Sequence, residues 1–125
     1  MTTYTLEEQK AHRKLWVKAL RSGKYKQGRD RLHVNGRFCC LGVACSIAGM
    51  TPVDIGASIN LRNFYEVMWF FGLRDVNGAY GKAGEPPADY MECLAQHNDE
   101  GISFNSIADI IESEPPGLFV ESISP

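Results

Sequence analysis

Apolar side chains in the first two dozen residues recur at helical spacing. Ala11, Leu15 and Ala19, with Trp16 and Leu20 beside them, fall on one face, while Lys10, Arg13, Lys14, Lys18 and Arg21 cover the remainder. Thr5-Leu6-Glu7-Glu8 reads as a capping box, in which the Thr5 hydroxyl closes the Glu8 N–H and the Glu8 carboxylate reaches back. A helix is therefore predicted from about Leu6 to Arg21 or Ser22, ended by Gly23 as a left-handed cap. Between residues 31 and 41 the period drops to two. Arg31-Leu32-His33-Val34 and Arg37-Phe38-Cys39-Cys40 flank Asn35-Gly36, a two-residue hairpin turn that sets Val34 opposite Arg37, His33 opposite Phe38 and Leu32 opposite Cys39. A lone hairpin is marginal in water, so a helix must cover one side.

Cys40 to Ala48 carries a single polar side chain, Ser46, the composition of a short helix buried nearly all round, with Gly42, Ala44, Ser46 and Ala48 keeping it thin. Met50 to Leu61 has no sustained period and reads as a loop. Asn63-Phe64-Tyr65-Glu66 predicts a capped helix running to Gly72, with Phe64, Val67, Met68 and Phe71 on one stripe that Trp69 and Phe70 widen. Asn77-Gly78, Gly81, Gly84 and Pro86-Pro87 mark an exposed loop. The two prolines open a helix in which Met91, Leu94 and Ala95 are apolar and Asp89 and Glu92 lie near its positive end. Ser103 caps a last helix through Phe104, Ile107, Ala108 and Ile111, with Ile110 alongside. Pro115-Pro116-Gly117 ends it, and Leu118-Phe119-Val120 is a tail segment suited to docking on the core or on a partner.

The pattern is α+β and mostly helical, a single domain over residues 1–125 with four to five short helices packed around one β-hairpin. The expected core spans residues 5–112, with 113–125 as a C-terminal tail. It contains Trp16, Leu20, Phe38, Leu41, Phe64, Met68, Phe71, Leu94, Phe104, Ile107 and Ile111, with the Cys40–Ala48 and Asn63–Gly72 helices central.

Length bounds this reading, since 125 residues suit one domain with a core of its own and leave no room for a second. No apolar run reaches the roughly 18 residues of a membrane span, and Met1 to Lys10 lacks the apolar centre of a signal peptide, so a cytoplasmic location is expected. Cys39, Cys40, Cys45 and Cys93 are then expected as reduced thiols embedded in apolar sequence. The net charge of −2 hides an asymmetry: residues 1–37 hold ten Lys/Arg against three acids, and residues 38–125 hold three against twelve. Such segregation suits either an anion-binding face or charge pairs within and between subunits. A thin helix, an exposed hairpin edge and opposite charge at the two ends also suit a homodimer.

Lys24, Tyr25, Lys26, Gln27, Arg29 and Arg31 place cations, an amide and an aromatic ring in one connector between helix and hairpin, with Arg37 just across the turn. Arginine forks match phosphates and Tyr25 would stack on a base, so these seven residues are the candidate site for a nucleotide or other anionic ligand. The competing reading is a solvated loop in which the glycines and Tyr25 serve packing. A zinc site would draw on Cys93 and His97, four apart on a predicted helix, but the spacing is not that of a standard site, and no metal or other cofactor is expected. A thiol nucleophile would pair Cys45 or Cys93 with His33 or His97. A hydrolase would draw on His33, His97 and Asp99, or pair His97 with Glu92. Buried thiols are poor nucleophiles, and no phosphate-binding or dinucleotide glycine pattern is present, so no catalytic residue is assigned. A sequence pI of about 5.9 weighs against nucleic acid as the partner.

Four blocks together resemble a family of small uncharacterised proteins of tailed phages and prophages. They are residues 16–28 (Trp16-Val17-Lys18-Ala19-Leu20-Arg21-Ser22-Gly23-Lys24-Tyr25-Lys26-Gln27-Gly28), residues 37–45 (Arg37-Phe38-Cys39-Cys40-Leu41-Gly42-Val43-Ala44-Cys45), the stretch Leu94 to Gly101 containing Asn98-Asp99, and Ser103 to Glu112. The similarity spans most of residues 16–112 and is weakest from Met50 to Gly84. The resemblance implies a phage-type context rather than a reaction, and with it a host cytoplasm as the place of action. The expectation is a non-enzymatic accessory protein that binds and neutralises a host component, a defence protein or its nucleotide signal. The alternatives are a small nucleotide hydrolase and a nucleic-acid-binding accessory protein using the Lys24–Arg37 segment.

Overall fold

A computed structural model describes residues 3–81 and 92–120. Among these the chain is α+β, six helices with a three-stranded sheet and a two-stranded ribbon. Helix α1 (Leu6–Arg21) begins at the predicted capping box: the Thr5 hydroxyl accepts from the Glu8 N–H at 3.1 Å, and the Glu8 carboxylate accepts from the Thr5 N–H at 2.9 Å. These bonds favour the charged carboxylate and hold the Glu8 pKa below its ordinary value. Gly23, at φ 78°, follows the helix as a left-handed residue.

The buried stripe of α1 keeps the predicted Trp16 and Leu20 but is otherwise rotated from the expected one. Arg13, Trp16, Val17 and Leu20 face inward, and Leu15 is exposed. The decisive term is Arg13, whose Nε donates to the Phe71 carbonyl at 2.6 Å and whose Nη1 meets Glu114 at 3.2 Å. Its guanidinium also lies 3.8 Å from the Phe119 ring centroid. Those partners come from chain 58 and 101 residues away, so periodicity alone could not show that an arginine belongs on the inner face.

Strands β2 (His33–Val34) and β3 (Arg37–Phe38) pair antiparallel in the predicted register, with Asn35 and Gly36 both at positive φ. The hairpin is one strand short of the observed sheet. Lys26–Gln27, expected as connector, forms β1 and pairs parallel with β3, giving the order β1-β3-β2. Helix α2 (Cys40–Ile47) crosses directly over Leu32, and its Cys40 to Cys45 are all buried. A Cβ at Gly42 would overlap the Leu32 carbonyl oxygen, so glycine is what lets this helix touch the hairpin backbone. Of the small residues of α2, Gly42 and Ala44 are buried within the chain, and Ser46 and the flanking Ala48 are half-buried.

Thr51 and Asp54 form a second capping box that nucleates a one-turn helix, α3 (Pro52–Ile55), inside the stretch expected to be loop. Helix α4 (Tyr65–Phe71) starts two residues later than expected. Phe64 is its N-cap, with no side-chain cap bond from Asn63, and Gly72 closes it at φ 79°. Val67, Met68 and Phe71 enter the core, whereas Trp69 lies on the surface.

Strand β4 (Ala79–Tyr80) pairs antiparallel with β5 (Glu92–Cys93), so helix α5 (Leu94–Asp99) begins only after Cys93. The predicted helix opening at Pro86-Pro87, with Asp89 and Met91, lies outside the described residues. Helix α6 (Phe104–Ser113) is capped by Ser103 as expected and packs along α1, which also contacts α2 and α4. The segment past α6 docks on the core: Leu118 and Phe119 are buried, and Phe119 bridges Leu73. Trp16 sits at the centre, fully buried, with its indole N–H donating to the Cys40 carbonyl at 3.0 Å. Phe38 and Phe64, expected in the core, pack against it only half-buried.

Candidate functional site

Parallel pairing of β1 with β3 decides what the seven candidate residues do. Lys26 stands beside Arg37 and Gln27 beside Phe38, and since neighbours in register share a sheet face, the two cations project together while the amide goes to the opposite side. Gly28 makes room for the arginine, as a Cβ there would fall 2.8 Å from the Arg37 Cβ. The Arg37 guanidinium turns back to within 3.5 Å of the Gln27 carbonyl. Lys24, Lys26, Arg29, Arg31 and Arg37 are exposed, and none of them has an ion-pair partner among the described residues.

Tyr25 and Gln27 are already engaged. The Tyr25 hydroxyl lies 2.9 Å from Ser46 Oγ and its ring meets Phe38 edge-on at 5.2 Å, so it is engaged in packing the sheet. The Gln27 amide donates to Asn98 Oδ1 at 3.0 Å and to the Ile102 carbonyl at 2.7 Å. Arg29 lies against Gly101, where a Cβ would come 3.1 Å from its Nη2. The next residue, Asp30, takes a left-handed φ of 68°, held by its N–H donating to Asp99 Oδ1 at 2.8 Å. The structure thus gathers Lys26 and Arg37 and assigns Tyr25 and Gln27 to the fold.

Of the metal and catalytic constellations, only the His97–Glu92 pair is brought together. Cys93 lies on β5, not on a helix with His97, and its thiol donates to the Asn77 carbonyl at 3.1 Å. His97 Nε2 is instead 2.8 Å from the Tyr80 hydroxyl and 3.4 Å from Glu92 Oε2. Burial first, then the Glu92 charge, raises the Tyr80 pKa, so this hydroxyl keeps its proton at neutral pH. His33 leans on Phe38 at 4.7 Å between centroids, and one Asp99 carboxylate oxygen accepts from the Asp30 N–H. Among the described residues no three His, Cys, Asp or Glu side chains could together hold a metal ion. Burial pushes Cys39 up to about 11 and Cys45 up to about 12, and Cys40 well above its ordinary value, which keeps all three as neutral thiols.

Sequence reasoning passed over a larger feature. Between α1 and α6 lies a cleft of ≈ 630 Å³ with Val17 and Ile111 on its floor. Inward rotation of Arg13 brings Lys10, Lys14 and Lys18, spaced one turn apart, along one wall. The acids of the cleft are committed: Glu112 accepts from Arg21 at 3.1 Å, and Glu114 pairs with Arg13 at 3.2 Å. Asp109 beside them takes the other branch of Arg21 at 2.6 Å. Three lysines over an apolar floor are therefore left uncompensated. Their spacing was visible in the sequence, but the cleft depends on which chain α6 packs against.

A family model described as a domain of unknown function (DUF8296) matches residues 8–52, a little over a third of the chain. Those residues carry most of α1, the three-stranded sheet and α2. No curated protein and no solved structure matches the chain. No helix among the described residues is long and apolar enough to cross a membrane.

Proposed function

We propose that the protein is a non-enzymatic binding module that seats an acidic amphipathic helix of another protein in the cleft between α1 and α6. The single observation that carries this reading is the charge balance of that cleft: its carboxylates are occupied by Arg13 and Arg21, whereas Lys10, Lys14 and Lys18 have no acidic partner among the described residues. A helix laid in the groove would bury apolar side chains on Val17 and Ile111 and offer carboxylates to the lysines. In the phage-type setting that the sequence blocks resemble, the partner is a host defence protein, neutralised by stoichiometric capture.

A second reading keeps the nucleotide signal as ligand, at Lys26 and Arg37, and rests on their side-by-side placement on an exposed sheet face. One titration separates the two. A synthetic helical peptide with leucines on one face and glutamates on its flanks, and separately ATP, are added to isotopically labelled protein while amide shifts are followed. The first reading expects saturable shifts in α1 and α6 with the peptide. Binding should weaken steeply as salt rises, and K14E/K18E should lose at least about tenfold in affinity. Shifts confined to β1 and β3 with ATP would replace it by the second reading, and turnover of ATP by the purified protein would overturn both.

A further inference from the structure

A second cleft, of ≈ 400 Å³, carries the opposite chemistry. Tyr4, Phe64, Tyr65, Trp69 and Phe70 line it, and Glu66 is the one charged side chain among its lining residues. Two of these rings are held out of the core: Tyr65 is 57% and Trp69 36% exposed, one turn apart on α4. The Trp69 hydrogen bond across the chain is made by its carbonyl, which accepts from the Gln9 amide at 2.9 Å.

Behind the exposed rings the wall is tied to α1 by ring contacts and a hydrogen bond. His12 stacks on Phe70 at 3.6 Å with the planes 6° apart, and its Nδ1–H donates to the Phe70 carbonyl at 2.6 Å. Tyr4 meets both rings edge-on, 5.2 Å from His12 and 5.3 Å from Phe70. One face of Phe70 is thus filled by imidazole.

From these observations we infer that the cleft beside α4 is a binding site for a lysine or arginine side chain presented by a partner segment. Ring faces carry negative quadrupole charge, so a wall of aromatic rings with a single carboxylate and no cation favours a cationic group over a neutral or anionic one of the same size. Glu66 adds a full negative charge at the rim and forms no ion pair among the described residues. The inference is independent of the α1–α6 cleft and would stand if that reading failed.

Tryptophan fluorescence reads this site selectively. The chain has two tryptophans, and Trp16 is fully buried, so a ligand in the cleft alters the emission of Trp69. The full chain is titrated with N-acetyl-lysine methylamide and with N-acetyl-norleucine methylamide, which has the same methylene stem without the ammonium. Expected is a saturable change with the lysine derivative, binding about three- to thirtyfold tighter than the norleucine one. Glu66→Gln and Tyr65→Ala, both at exposed positions, should each weaken the lysine derivative about threefold or more, and Trp69→Phe should abolish the signal. Equal response to the two derivatives, no saturable response up to the solubility limit, or an unchanged affinity in both Glu66→Gln and Tyr65→Ala would overturn the assignment.

Discussion

Asn98 on α5 is fully buried, and its amide ties three elements together. Oδ1 accepts from the Cys40 N–H at 3.1 Å, which is the first orphan donor of α2, and from the Gln27 amide at 3.0 Å. Nδ2 donates to the Gly28 carbonyl at 2.7 Å. The orientation of the amide is therefore forced, because Gly28 supplies only an acceptor and Cys40 only a donor. Asn98→Ala leaves one buried N–H and one buried carbonyl without partners, at about 1–3 kcal/mol each, so a loss of about 2–6 kcal/mol is expected. That is a large share of the ~5–15 kcal/mol typical of a domain. Urea denaturation followed by circular dichroism measures it, with Gln27→Ala as internal control at about 1 kcal/mol, since Gln27 is only half-buried. Asn98→Asp is expected to cost at least as much as Asn98→Ala, because it places carboxylate oxygen against the Gly28 carbonyl and buries a charge. A loss below about 1 kcal/mol for Asn98→Ala would refute the reasoning and mean that α2 and the Gly28 turn find their partners elsewhere.

Gly42→Ala sets a methyl against the Leu32 backbone, which cannot rotate away as a side chain would, and should cost at least about 3 kcal/mol or prevent folding, read by the same denaturation. Arg13→Met keeps the packing length but frees the Phe71 carbonyl and Glu114. It is expected to lose about 3 kcal/mol, with the C-terminal segment Leu118–Phe119 becoming open to amide exchange. The buried thiols make stability fall at high pH. Cys39 and Cys45 have folded-state pKa values raised from 9.0 to about 11 and about 12, so their contribution is complete below pH 9 and is withdrawn as pH climbs through the folded values. Each withdraws about 1.4 kcal/mol per pH unit in that window, and Cys45→Ala should flatten the slope by one such increment, measured by urea denaturation between pH 9 and 11. An unchanged slope in Cys45→Ala would show that its thiol is already solvated.

Local chemistry was legible in the sequence wherever its partners lie within a few residues. The Thr5/Glu8 box, the Asn35-Gly36 turn with its register, the apolar run of α2 and the Ser103 cap all close within one turn of chain. By the same logic the Thr51/Asp54 box was available, and the missing apolar period of that stretch concealed it. Trp69 was expected to widen the buried stripe of α4, but the packing of that helix leaves its side chain partly exposed at the surface. For the candidate site, the cations at Lys26 and Arg37 were readable as residues, while their adjacency was not. Nor did spacing distinguish them from Tyr25 and Gln27, whose partners Ser46, Asn98 and Ile102 come from other elements.

By itself, then, the sequence determined the fold class, the Thr5 and Ser103 caps, the hairpin register and the helix buried nearly all round, because each depends on backbone geometry and hydrophobic period over short separations. Only the tertiary structure decided that Lys26–Gln27 is a strand, that Arg13 turns inward while Leu15 turns outward, that His97 pairs with Tyr80, and that Leu118 and Phe119 complete the core. Each of these joins segments far apart in the chain. Which distant groups meet is settled by how α1 and its neighbours pack, and the two clefts, one lined by lysines and one by aromatic rings, exist only as products of that packing.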